Sequence, residues 1–493
     1  MRLTEILRNI EHIPYGPVDI NIKGITYNSK KVRKGFIFVA LPGQHVDGRK
    51  FIPEAIGRKA SVIVSDSQYE ARNVTSIVVP NPLASLALLS SNYYRHPDKS
   101  LLMIGITGTN GKTTITYFVE SILTSLGYRL GVIGTINYRF AGKTMPSSNT
   151  TPFSSDLNKM LNEMVSNKSD AVIMEVSSHA LAQGRVGGLE FDIAVFTNLT
   201  RDHLDYHKTM ESYFDEKAKL FLLNLRKTRK NNPKYAIINT DDPWGRKLLE
   251  ILPQEITTVT YGFNKNAVIR AENVRLDHHG NQFLLVTPAG KKRVILPFIG
   301  RHNIYNGLAS AAAGLCAGAS LDAVVYGIEK TAPVPGRLEK VDAGQPFIVV
   351  VDYAHTDDAL KNVLSALKQL DPARLITVFG CGGDRDRSKR PVMGEIATRI
   401  SDFVFITSDN PRSEDPQRIA LDIEVGARRQ NMNNYQVILE REQAISAAIN
   451  MAQKGDIVLL AGKGHETYQI LGNKTIHFND SEVAVKHLRD RYS

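Results

Sequence analysis

The sequence predicts an α/β protein with more than one domain. Short continuous apolar runs alternate with longer stretches of helical periodicity, which is typical of parallel sheets covered by helices. The 493 residues are 42% apolar and 23% charged, so the chain can bury sizeable cores. This length corresponds to about two to four domains. Proline-containing interruptions near residues 97 and 333 divide the chain into three segments.

The first segment, residues 1–97, is predicted to be a small α/β domain. It contains three β-like runs and one helix, at Phe36–Leu41, Ser61–Ser65, Ser76–Val79 and Leu83–Tyr94. The dipeptide His96-Pro97 interrupts the helical pattern, because a residue before proline disfavours the helical conformation. We therefore place the first boundary there.

The second segment, residues 98–332, opens like a nucleotide-binding sheet. The apolar run Leu101–Ile106 is followed by a glycine-rich turn and the amphipathic stretch Lys112–Leu126. Further strands are expected at Ala171–Val176, Asp192–Thr197 and Tyr235–Asn239, a β-rich stretch over 259–297, and an alanine-rich helix at Asn306–Ala319. The sequence thus predicts a mostly parallel central sheet.

The third segment, residues 333–493, repeats the alternation of strands and helices. Thr331–Arg337 (TAPVPGR) carries two prolines and a glycine, which is typical of a linker. Strands are expected beyond it at Phe347–Asp352, Leu375–Phe379, Phe403–Thr407 and Asp456–Leu460. These elements predict a second α/β domain after the linker.

Charge and cysteine content narrow the class of protein. Lysine and arginine number 61 against 50 acidic residues, and the net charge of +11 suits nucleic acid, acidic metabolites or simply solubility. The two cysteines, Cys316 and Cys381, form no CxxC pair, so neither a disulfide framework nor a zinc ribbon is expected. No run approaches the roughly 18 apolar residues of a membrane span, and the N-terminus resembles no export signal. We expect a cytoplasmic protein.

The strongest local signal is a phosphate-binding loop at Gly105–Thr114 (GITGTNGKTT). Glycines allow backbone N–H groups to approach an anion, Lys112 adds a positive charge, and the Thr113 hydroxyl can ligate Mg²⁺. The loop departs from a strict Walker A motif, because Ile106 lies six positions before Lys112 where that motif has glycine. ATP is the predicted ligand.

Acidic or imidazole side chains at strand ends are the usual further ligands of nucleotide-bound Mg²⁺. Glu175 ends the apolar run AVIM, and His203 follows the strand DIAVFT. Both are therefore candidates for the metal side of the site. Taken alone, Glu175 could equally be an ordinary strand-end carboxylate, and His203 would more often be a structural histidine.

Several sequence blocks stand in one order along the chain and resemble the Mur ligase family. They are TGTNGKTT, MEVSSHAL, FTNLTRDHLDYH, GRHNIYN, PGRLE, DYAH, GCGGDRDRSKRPVMG, TSDNPRSEDP and AGKGHE, and the resemblance extends from about Ser29 to Glu466. It implies a UDP-binding N-terminal α/β domain, a central P-loop ATPase with a mostly parallel sheet, and a C-terminal Rossmann-like domain that receives an amino acid. The boundaries at 97/98 and 332/333 suit that arrangement.

The resemblance also implies a reaction, ATP-dependent amide formation in peptidoglycan precursor biosynthesis. The D-glutamate carboxylate of UDP-N-acetylmuramoyl-L-alanyl-D-glutamate would attack the γ-phosphate to give an acyl phosphate and ADP, and an incoming amine would then displace phosphate. A carboxylate is unreactive toward amines until one oxygen becomes a good leaving group. Both steps gather negative charge, so catalysis should be electrostatic and positional.

By resemblance, two overlapping groups of residues serve the nucleotide and the metal. Those expected to contact ATP are Gly108, Thr109, Asn110, Gly111, Lys112, Thr113, Thr114, Asn303, Asn306, Arg337, Asp352 and His355. Those expected on the Mg²⁺ side are Thr113, Glu175, His203 and Lys217. Lys112, Glu175, His203 and Lys217 form the implied catalytic set.

Lys217, in YFDEKAKLF, matches the family lysine that CO₂ carbamylates, because it lies four residues before Phe221. Carbamylation converts a cation into a carboxylate-like anion that can hold a second Mg²⁺. The reaction needs a neutral amine, so the site should lower the pKa of Lys217. Lys219 is the competing choice and would lie on a different helix face.

The positions that match the family's contacts to the UDP-sugar dipeptide offer hydroxyl, amide and guanidinium groups. They are Ser29, His45, Val46, Asp47, Gly48, Thr150, Thr151, Ser177, Gln183 and Arg185. The chain departs from the family pattern after DYAH, where Thr356-Asp357-Asp358 replaces the usual Thr-Pro. This change removes a rigid turn residue but no expected ligand.

The tetrapeptide DNPR marks family members that take meso-diaminopimelate as the amino acid. It comprises Asp409, Asn410, Pro411 and Arg412. Arg412 offers a bidentate partner for the distal carboxylate, whereas L-lysine would leave the guanidinium unpaired. The remaining matches are Arg390, Gly462 and Glu466, the last suited to the distal ammonium.

Three alternatives stay open. One is an L-lysine-adding ligase of the same family, against which Arg412 argues. Another is a P-loop ATPase acting on nucleic acid, but such a protein would show clustered basic residues with stacking aromatics, and here the basic residues are dispersed and the only tryptophan is Trp244. The last is a nucleotide-binding regulator without catalysis, against which the joint presence of loop, metal and lysine positions argues. We expect small-molecule substrates, no nucleic acid or membrane partner, and a monomer.

Overall fold

Three large sheets follow one another along the chain, and helices cover them, so the predicted α/β class is confirmed. The computed structural model describes residues 1–43, 47–226, 230–278, 280–430 and 433–492. The strands of the three sheets lie within residues 13–78, 102–296 and 339–461, one sheet in each predicted segment. The domain boundaries at 97/98 and 332/333 remain predictions. Among the described residues, no helix is both long and apolar enough to cross a membrane.

The N-terminal sheet has five strands in the order β1-β5-β4-β3-β2. Its elements are α1 (Leu3–Ile6), β1 (Ile13–Tyr15), β2 (Gly24–Thr26), β3 (Phe36–Val39), α2 (Ile52–Gly57), β4 (Val62–Ser65), β5 (Thr75–Val78) and α3 (Pro82–Tyr93). Strands β2 to β5 are parallel, and β1 joins the edge antiparallel to β5. Aliphatic side chains of β3 and β4 form a core with those of α1 and α3.

The central sheet has eleven strands in the order β16-β15-β14-β13-β12-β11-β6-β10-β7-β8-β9. Its strands are β6 (Leu102–Thr107), β7 (Leu130–Ile133), β8 (Asn137–Phe140), β9 (Lys143–Pro146), β10 (Ala171–Glu175), β11 (Ile193–Phe196), β12 (Tyr235–Asn239), β13 (Thr257–Gly262), β14 (Ile269–Asp277), β15 (Gly280–Thr287) and β16 (Gly290–Leu296). The middle of the sheet, from β13 to β7, is parallel. Antiparallel strands extend it at both ends.

Helices pack on both faces of the central sheet. They are α4 (Lys112–Ser125), α5 (Ser154–Ser166), α6 (Ser178–Ala182), α7 (Leu204–His207), α8 (Met210–Lys219), α9 (Pro243–Ile251), α10 (Arg301–Cys316) and α11 (Leu321–Glu329). One core contains α4, α10 and α11, and the other contains α5, α8 and α9. Because both faces are covered, the parallel strands are continuous apolar runs, and their carboxyl ends meet at one edge.

The C-terminal sheet has six strands in the order β17-β18-β22-β19-β20-β21, all parallel except β17. Its elements are β17 (Glu339–Val341), β18 (Ile348–Asp352), α12 (Asp357–Lys368), β19 (Leu375–Phe379), α13 (Lys389–Ile400), β20 (Phe403–Ile406), α14 (Pro416–Ala427), β21 (Tyr435–Val437), α15 (Arg441–Met451), β22 (Ile457–Ala461) and α16 (Asp480–Tyr492). A separate hairpin, β23 (Tyr468–Leu471) and β24 (Lys474–His477), lies between β22 and α16.

The main departure from the predicted elements is α10, which begins at Arg301 instead of Asn306. The alanine-rich pattern indicated too late a start because residues 301–305 contain no alanine and are mostly polar or aromatic. Gly300, with φ of 87°, precedes the first turn. The other predicted strands and helices lie within one to three residues of their observed ends.

A buried ion cluster lies at the amino-terminal edge of the central sheet. The Lys234 ammonium is 2.9 Å from Glu190 Oε1 and 3.0 Å from Asp192 Oδ1. Lys230 Nζ lies 2.7 Å from Asp192 Oδ2. All four side chains are at most 3% exposed, so each buried charge is compensated inside the cluster.

Removing the Lys234 ammonium should destabilise the protein. Lys234→Ala leaves Glu190 and Asp192 short of a counter-charge, and breaking a buried ion pair costs about 3–5 kcal/mol. We expect thermal unfolding at a lower temperature than for the wild type. Lys143→Ala, on the exposed strand β9, should leave the transition unchanged. Equal transitions for Lys234→Ala and the wild type would contradict the compensating role.

Candidate functional site

The phosphate-binding loop joins β6 to α4 at the carboxyl edge of the central sheet. Gly108 adopts a φ of 144°, and a Cβ there would lie 1.8 Å from Thr197 Oγ1. Thr197 Oγ1 donates to the Asn110 carbonyl oxygen at 2.6 Å, and the Asn110 N–H donates to Asn198 Oδ1 at 2.9 Å. Residues after β11 therefore fix the loop directly before the N-terminus of α4, where free N–H groups favour an anion.

Two lysines, Lys217 buried and Lys112 half-buried, converge on one carbonyl oxygen of this loop. Lys112 Nζ donates to the Gly108 oxygen at 2.9 Å, and Lys217 Nζ, from α8, donates to the same oxygen at 2.8 Å. Burial and the neighbouring Lys112 ammonium hold the pKa of Lys217 well below its ordinary value, as the sequence predicted. Burial also lowers the pKa of Lys112. The competing Lys219 pairs instead with Glu216 at 2.6 Å.

Glu175, at the end of β10, lies against Thr113 of the loop. Its side chain accepts from the Thr113 hydroxyl at 3.1 Å and from the Thr135 hydroxyl at 3.0 Å. The Thr135 N–H donates to the other carboxylate oxygen at 2.9 Å. The structure therefore brings together two residues that the sequence assigned to the metal side. Thr135 was missed, because no motif marks the loop after β7.

A cavity of about 510 Å³ lies over the loop, between the central and C-terminal sheets. The predicted ATP-contact residues that line it are Thr109, Asn110, Gly111, Lys112, Thr113, Thr114, Asn303, Asn306, Arg337, Asp352 and His355. Glu175, His203, Thr150 and Ser177 line it as well. Gly108 and Lys217 do not line it and contribute through their shared hydrogen bond.

The far wall of this cavity is built from α10 and the linker. Asn306 Nδ2 donates to Asn303 Oδ1 at 2.9 Å. Arg337 Nη2 lies 3.3 Å from Thr113 Oγ1, and its guanidinium lies 5.0 Å from the centre of the Tyr353 ring. The C-terminal segment therefore reaches the phosphate loop through an arginine.

Sequence reasoning missed Asp241, which also lines this cavity. It follows β12, and its Oδ2 accepts from the Tyr305 hydroxyl at 2.8 Å. The strand-end rule that selected Glu175 would have selected Asp241 as well, because both follow parallel strands of one sheet.

The departure from the family pattern at residues 356–358 has a structural replacement. Helix α12 begins at Asp357, and Thr356 Oγ1 accepts from the Ala359 N–H at 3.2 Å. A side-chain cap thus fixes the turn that proline would fix. Asp358 Oδ2 accepts from Asn110 Nδ2 at 3.2 Å, which ties α12 to the phosphate loop.

A second cavity, of about 440 Å³, adjoins the first. The predicted residues that line it are Asp409, Asn410, Arg412, Gly462 and Glu466. Both cavities are lined by Asp202, His203, Tyr353, His355 and Thr356. The two histidines therefore stand where the two cavities meet.

The shared histidines lie among charged side chains of both signs. His203, with φ of 54°, has its Nε2 3.4 Å from Asp202 Oδ2, and burial lowers its pKa. His355 Nδ1 lies 2.8 Å from the Tyr353 carbonyl oxygen, and burial lowers its pKa too. Burial therefore acts in the same direction on the pKa of both imidazoles.

The second cavity carries opposite charges on different side chains. Arg412 Nη1 donates to the Gly383 carbonyl oxygen at 2.8 Å. The buried Lys463 ammonium lies 3.2 Å from Glu466 Oε2 and 3.7 Å from Asp409 Oδ1. Burial, with the nearby Asp409 carboxylate, raises the pKa of Glu466. A guanidinium and two carboxylates suit a ligand with both a carboxylate and an ammonium group.

Arg390 and Pro411 were predicted for this group, but the structure does not bring them to the cavity lining. Arg390 is fully buried and pairs with Glu414 at 2.8 Å and with Asp422 at 2.9 Å. Arg385, five residues earlier in the same motif, lines the cavity and donates to the Asp384 carbonyl oxygen at 3.1 Å. The motif predicted an arginine at this cavity. Which of its arginines lines the cavity depends on the conformation of the turn before α13.

Part of the predicted dipeptide group lies beside Glu175. Arg185 donates to the Thr151 carbonyl oxygen at 2.8 Å and to Gln183 Oε1 at 2.7 Å, and its guanidinium lies 4.1 Å from the centre of the Phe153 ring. Ser177 caps α6 and donates its N–H to Thr151 Oγ1 at 3.1 Å. Within the described ranges, the Arg185 guanidinium thus contacts neutral oxygens and an aromatic ring but forms no ion pair with a carboxylate.

The rest of the dipeptide group lies in the N-terminal segment, where its described members occupy turns between the strands. The Ser29 hydroxyl donates to Glu54 Oε2 at 2.6 Å. Asp47 caps a short 3₁₀ turn, and the Gly48 N–H donates to the Leu41 carbonyl oxygen at 2.9 Å. His45 and Val46 lie outside the described residues.

The stability of the protein should depend on Asp352 between about pH 4 and pH 6. This carboxylate accepts N–H groups of Leu338 and Ala354 at 2.8 and 2.9 Å, and burial raises its pKa from 3.8 to about 6, against the lowering effect of Arg337. As the pH rises, Asp352 therefore ionises in the unfolded chain before it ionises in the folded protein. Its contribution to stability falls across this window and is constant above it.

Asp352→Asn removes the ionisation at this position. The unfolding temperature of the variant, minus that of the wild type, should rise from pH 4 to pH 6 and then level off. A difference that does not change with pH would contradict the raised pKa.

The chain was compared with family models and known proteins. It matches the Mur ligase family, catalytic domain over residues 21–94, the Mur ligase middle domain over 106–314, and the Mur ligase, glutamate ligase domain over 336–464. Two relatives are named UDP-N-acetylmuramoyl-L-alanyl-D-glutamate--2,6-diaminopimelate ligase. The one from Bacillus velezensis is 45% identical, covering 98% of both chains, and the one from Solibacter usitatus is 46% identical, covering 98% of this chain and 97% of its own.

Solved structures give the same result. A structure with that same ligase name is 33% identical, with a TM-score of 0.72 over 100% of this chain and 99% of its own. MurF from Acinetobacter baumannii shares the fold at 19% identity, with a TM-score of 0.67 over 93% of this chain and 95% of its own. The family models span all three segments, and the relatives match nearly the whole length; the chain belongs to the Mur ligase family.

Proposed function

We propose that this protein is an ATP-dependent ligase that adds meso-diaminopimelate to UDP-N-acetylmuramoyl-L-alanyl-D-glutamate in peptidoglycan precursor synthesis. The observation that carries the proposal is the junction of two cavities at His203 and His355. One cavity has a phosphate-binding loop, and the other has charges of both signs. The names of the relatives support the same substrates.

In the first step the D-glutamate carboxylate attacks the γ-phosphorus of ATP, and ADP leaves. The N-terminus of α4 and Lys112 bind the phosphates, and Arg337 approaches from the linker to meet the charge that develops. In the second step the amine attacks the acyl carbon, phosphate leaves, and the nitrogen loses a proton. The two steps share one location, so His203 and His355 border both reacting groups.

Mg²⁺ fits the residues present. Thr113 and Glu175 offer hydroxyl and carboxylate oxygens, and the buried Thr200 hydroxyl on the same cavity has no hydrogen-bond partner among the described residues. No group of three or more His, Cys, Asp or Glu side chains suited to a metal occurs in that described part of the chain. This suits an ion that takes its other ligands from water and phosphate. Bound Mg²⁺ would neutralise phosphate charge.

Lys217 fits the carbamylated lysine. Its amine is buried, its pKa is lowered, and it points at the loop that binds phosphate. Addition of CO₂ to the neutral amine, with loss of one proton, would place an anion beside the Lys112 ammonium. The carbamate would then extend the metal side formed by Thr113, Glu175 and His203.

The dipeptide and the amino acid would approach from opposite sides of the junction. Arg185, with Thr151 and Gln183, offers a buried guanidinium for a peptide carboxylate, and Ser29, in the 3₁₀ turn after β2, offers a hydroxyl donor for the UDP end. In the second cavity Arg412 would bind the distal carboxylate of diaminopimelate. Asp409 and Glu466 would bind its distal ammonium.

A direct assay tests this function. The protein is incubated with UDP-N-acetylmuramoyl-L-alanyl-D-glutamate, MgATP and either meso-diaminopimelate or L-lysine, and phosphate release and product mass are followed. We expect kcat/KM to favour diaminopimelate by about 100-fold, since an unpaired buried guanidinium costs about 2–3 kcal/mol. Product only with lysine would overturn the choice of amino acid. ATP hydrolysis stimulated by DNA or RNA without ligation would overturn the ligase assignment.

Lys217→Ala should abolish ligation while ATP and ADP still bind. The variant removes the group that CO₂ would modify, but it leaves Lys112 and the loop glycines in place. Lys219→Ala is the matched control, because Lys219 pairs with Glu216 and should leave turnover near the wild-type value. Phosphate release gives the activity, and calorimetric titration gives the nucleotide affinity. Unimpaired turnover of Lys217→Ala would rule out this role.

A further inference from the structure

The small hairpin of β23 and β24 pairs with the DNPR loop, residues 409–412, through a bridge between Leu471 and Arg412, and within the described residues it forms no ladder with the six-stranded sheet. We infer that this hairpin holds the DNPR loop in the shape that selects the amino acid, and that Gln469 is its positioning residue. The inference rests on the proposed function, because it concerns the amino-acid cavity of that ligase.

Arg412 needs such support, because its backbone is in the left-handed region with φ of 52°. Residues other than glycine rarely adopt this conformation, and it persists where the surroundings fix it. The conformation matters here, because it aims the guanidinium toward the cavity lining. A relaxed backbone would move the charge away from a ligand carboxylate.

The hairpin bonds both backbone groups of Arg412. The Arg412 N–H donates to the Ile470 carbonyl oxygen at 3.1 Å, and the Gly472 N–H donates to the Arg412 carbonyl oxygen at 2.8 Å. Leu471 stands between these two partners and forms a parallel bridge with Arg412. The end of β23 therefore pairs with the loop at a single residue, and these two hydrogen bonds fix φ and ψ of Arg412.

Two further hydrogen bonds fix the start of the loop. The Ile470 N–H donates to Asn410 Oδ1 at 3.0 Å, and Gln469 Nε2 donates to the Asp409 carbonyl oxygen at 2.8 Å. Asn410 in turn holds the Glu466 carboxylate, because its Nδ2 donates to Glu466 Oε2 at 2.8 Å. The hairpin thus sets the positions of both carboxylates and of the guanidinium.

Burial in the hairpin is concentrated at Gln469. This side chain is 5% exposed, whereas Tyr468 and Leu471 beside it are 40% and 38% exposed and every residue of β24 is exposed. An amide is suited to this position, because it donates to a carbonyl oxygen without adding charge beside Asp409 and Glu466. A carboxylate here would repel both.

Gln469→Leu tests this role, since leucine has a similar size but no donor. Losing one buried hydrogen bond should raise KM for meso-diaminopimelate about fivefold to tenfold, and the preference for diaminopimelate over L-lysine should fall by a similar factor. KM for ATP and for the UDP-dipeptide should stay within about twofold. Gln436→Leu is the matched control, because Gln436 is exposed on β21.

Amide hydrogen exchange of the unliganded protein gives a second readout, independent of turnover. The peptide that contains residues 409–412 should exchange faster in Gln469→Leu than in the wild type and Gln436→Leu, while the peptide that contains β19 should not change. Unchanged exchange and unchanged KM for diaminopimelate would overturn the inference. An equal rise of all three KM values with a lower unfolding temperature would also overturn it. Failure of the wild type to use diaminopimelate would count against the proposed function, whereas the exchange result bears on the hairpin alone.

Discussion

Two lysine ammonium groups donate to one carbonyl oxygen at the carboxyl edge of the central sheet, and the site is organised around that concentration of positive charge. Lys112 and Lys217 both reach the Gly108 oxygen, and burial lowers the pKa of each. Like charges at this separation in a buried place are unfavourable. The strain is relieved by an anion or by loss of a cation. In the function that we propose, a bound phosphate would supply the first, and carbamylation of Lys217 would supply the second.

At the amino-terminal edge of the same sheet, by contrast, buried lysines are paired with carboxylates. There Lys230 and Lys234 are as deeply buried, but each lies within 3.0 Å of a carboxylate oxygen. Their charges are compensated within the fold, so removing one would leave a buried carboxylate unpaired, and neither charge is available to a ligand. The role of a lysine near the sheet therefore depends on the charged groups around it. The lysines that pair with carboxylates lie at the amino-terminal edge of the sheet, and the lysines that reach the phosphate-binding loop lie at its carboxyl edge.

The sequence predicts those parts of the site that depend on local patterns. The phosphate loop, Glu175 and His203 were found because strand ends and glycine-rich turns are local patterns. Asp241 could have been found by the same rule. Thr135 and Gln469 could not, because their roles depend on contacts across loops whose spacing carries no signal. The choice between Arg385 and Arg390 likewise depends on the turn before α13, which the sequence does not specify.

The amino-acid cavity also depends on a layer of residues beneath it. Arg441 and Asp480 form a fully buried pair at 2.6 Å, and Arg441 also donates to the Ala461 carbonyl oxygen at 3.0 Å and to that of Ser408 at 3.4 Å. Ser408 directly precedes the DNPR loop, and Ala461 directly precedes the loop that ends at Glu466. A buried ion pair adds little net stability, because desolvation offsets the attraction. Its geometric effect remains, since one guanidinium holds the bases of both loops. The hairpin fixes the DNPR loop from above and Arg441 fixes it from below, so the positions of the cavity's charges are set by the fold before any ligand arrives.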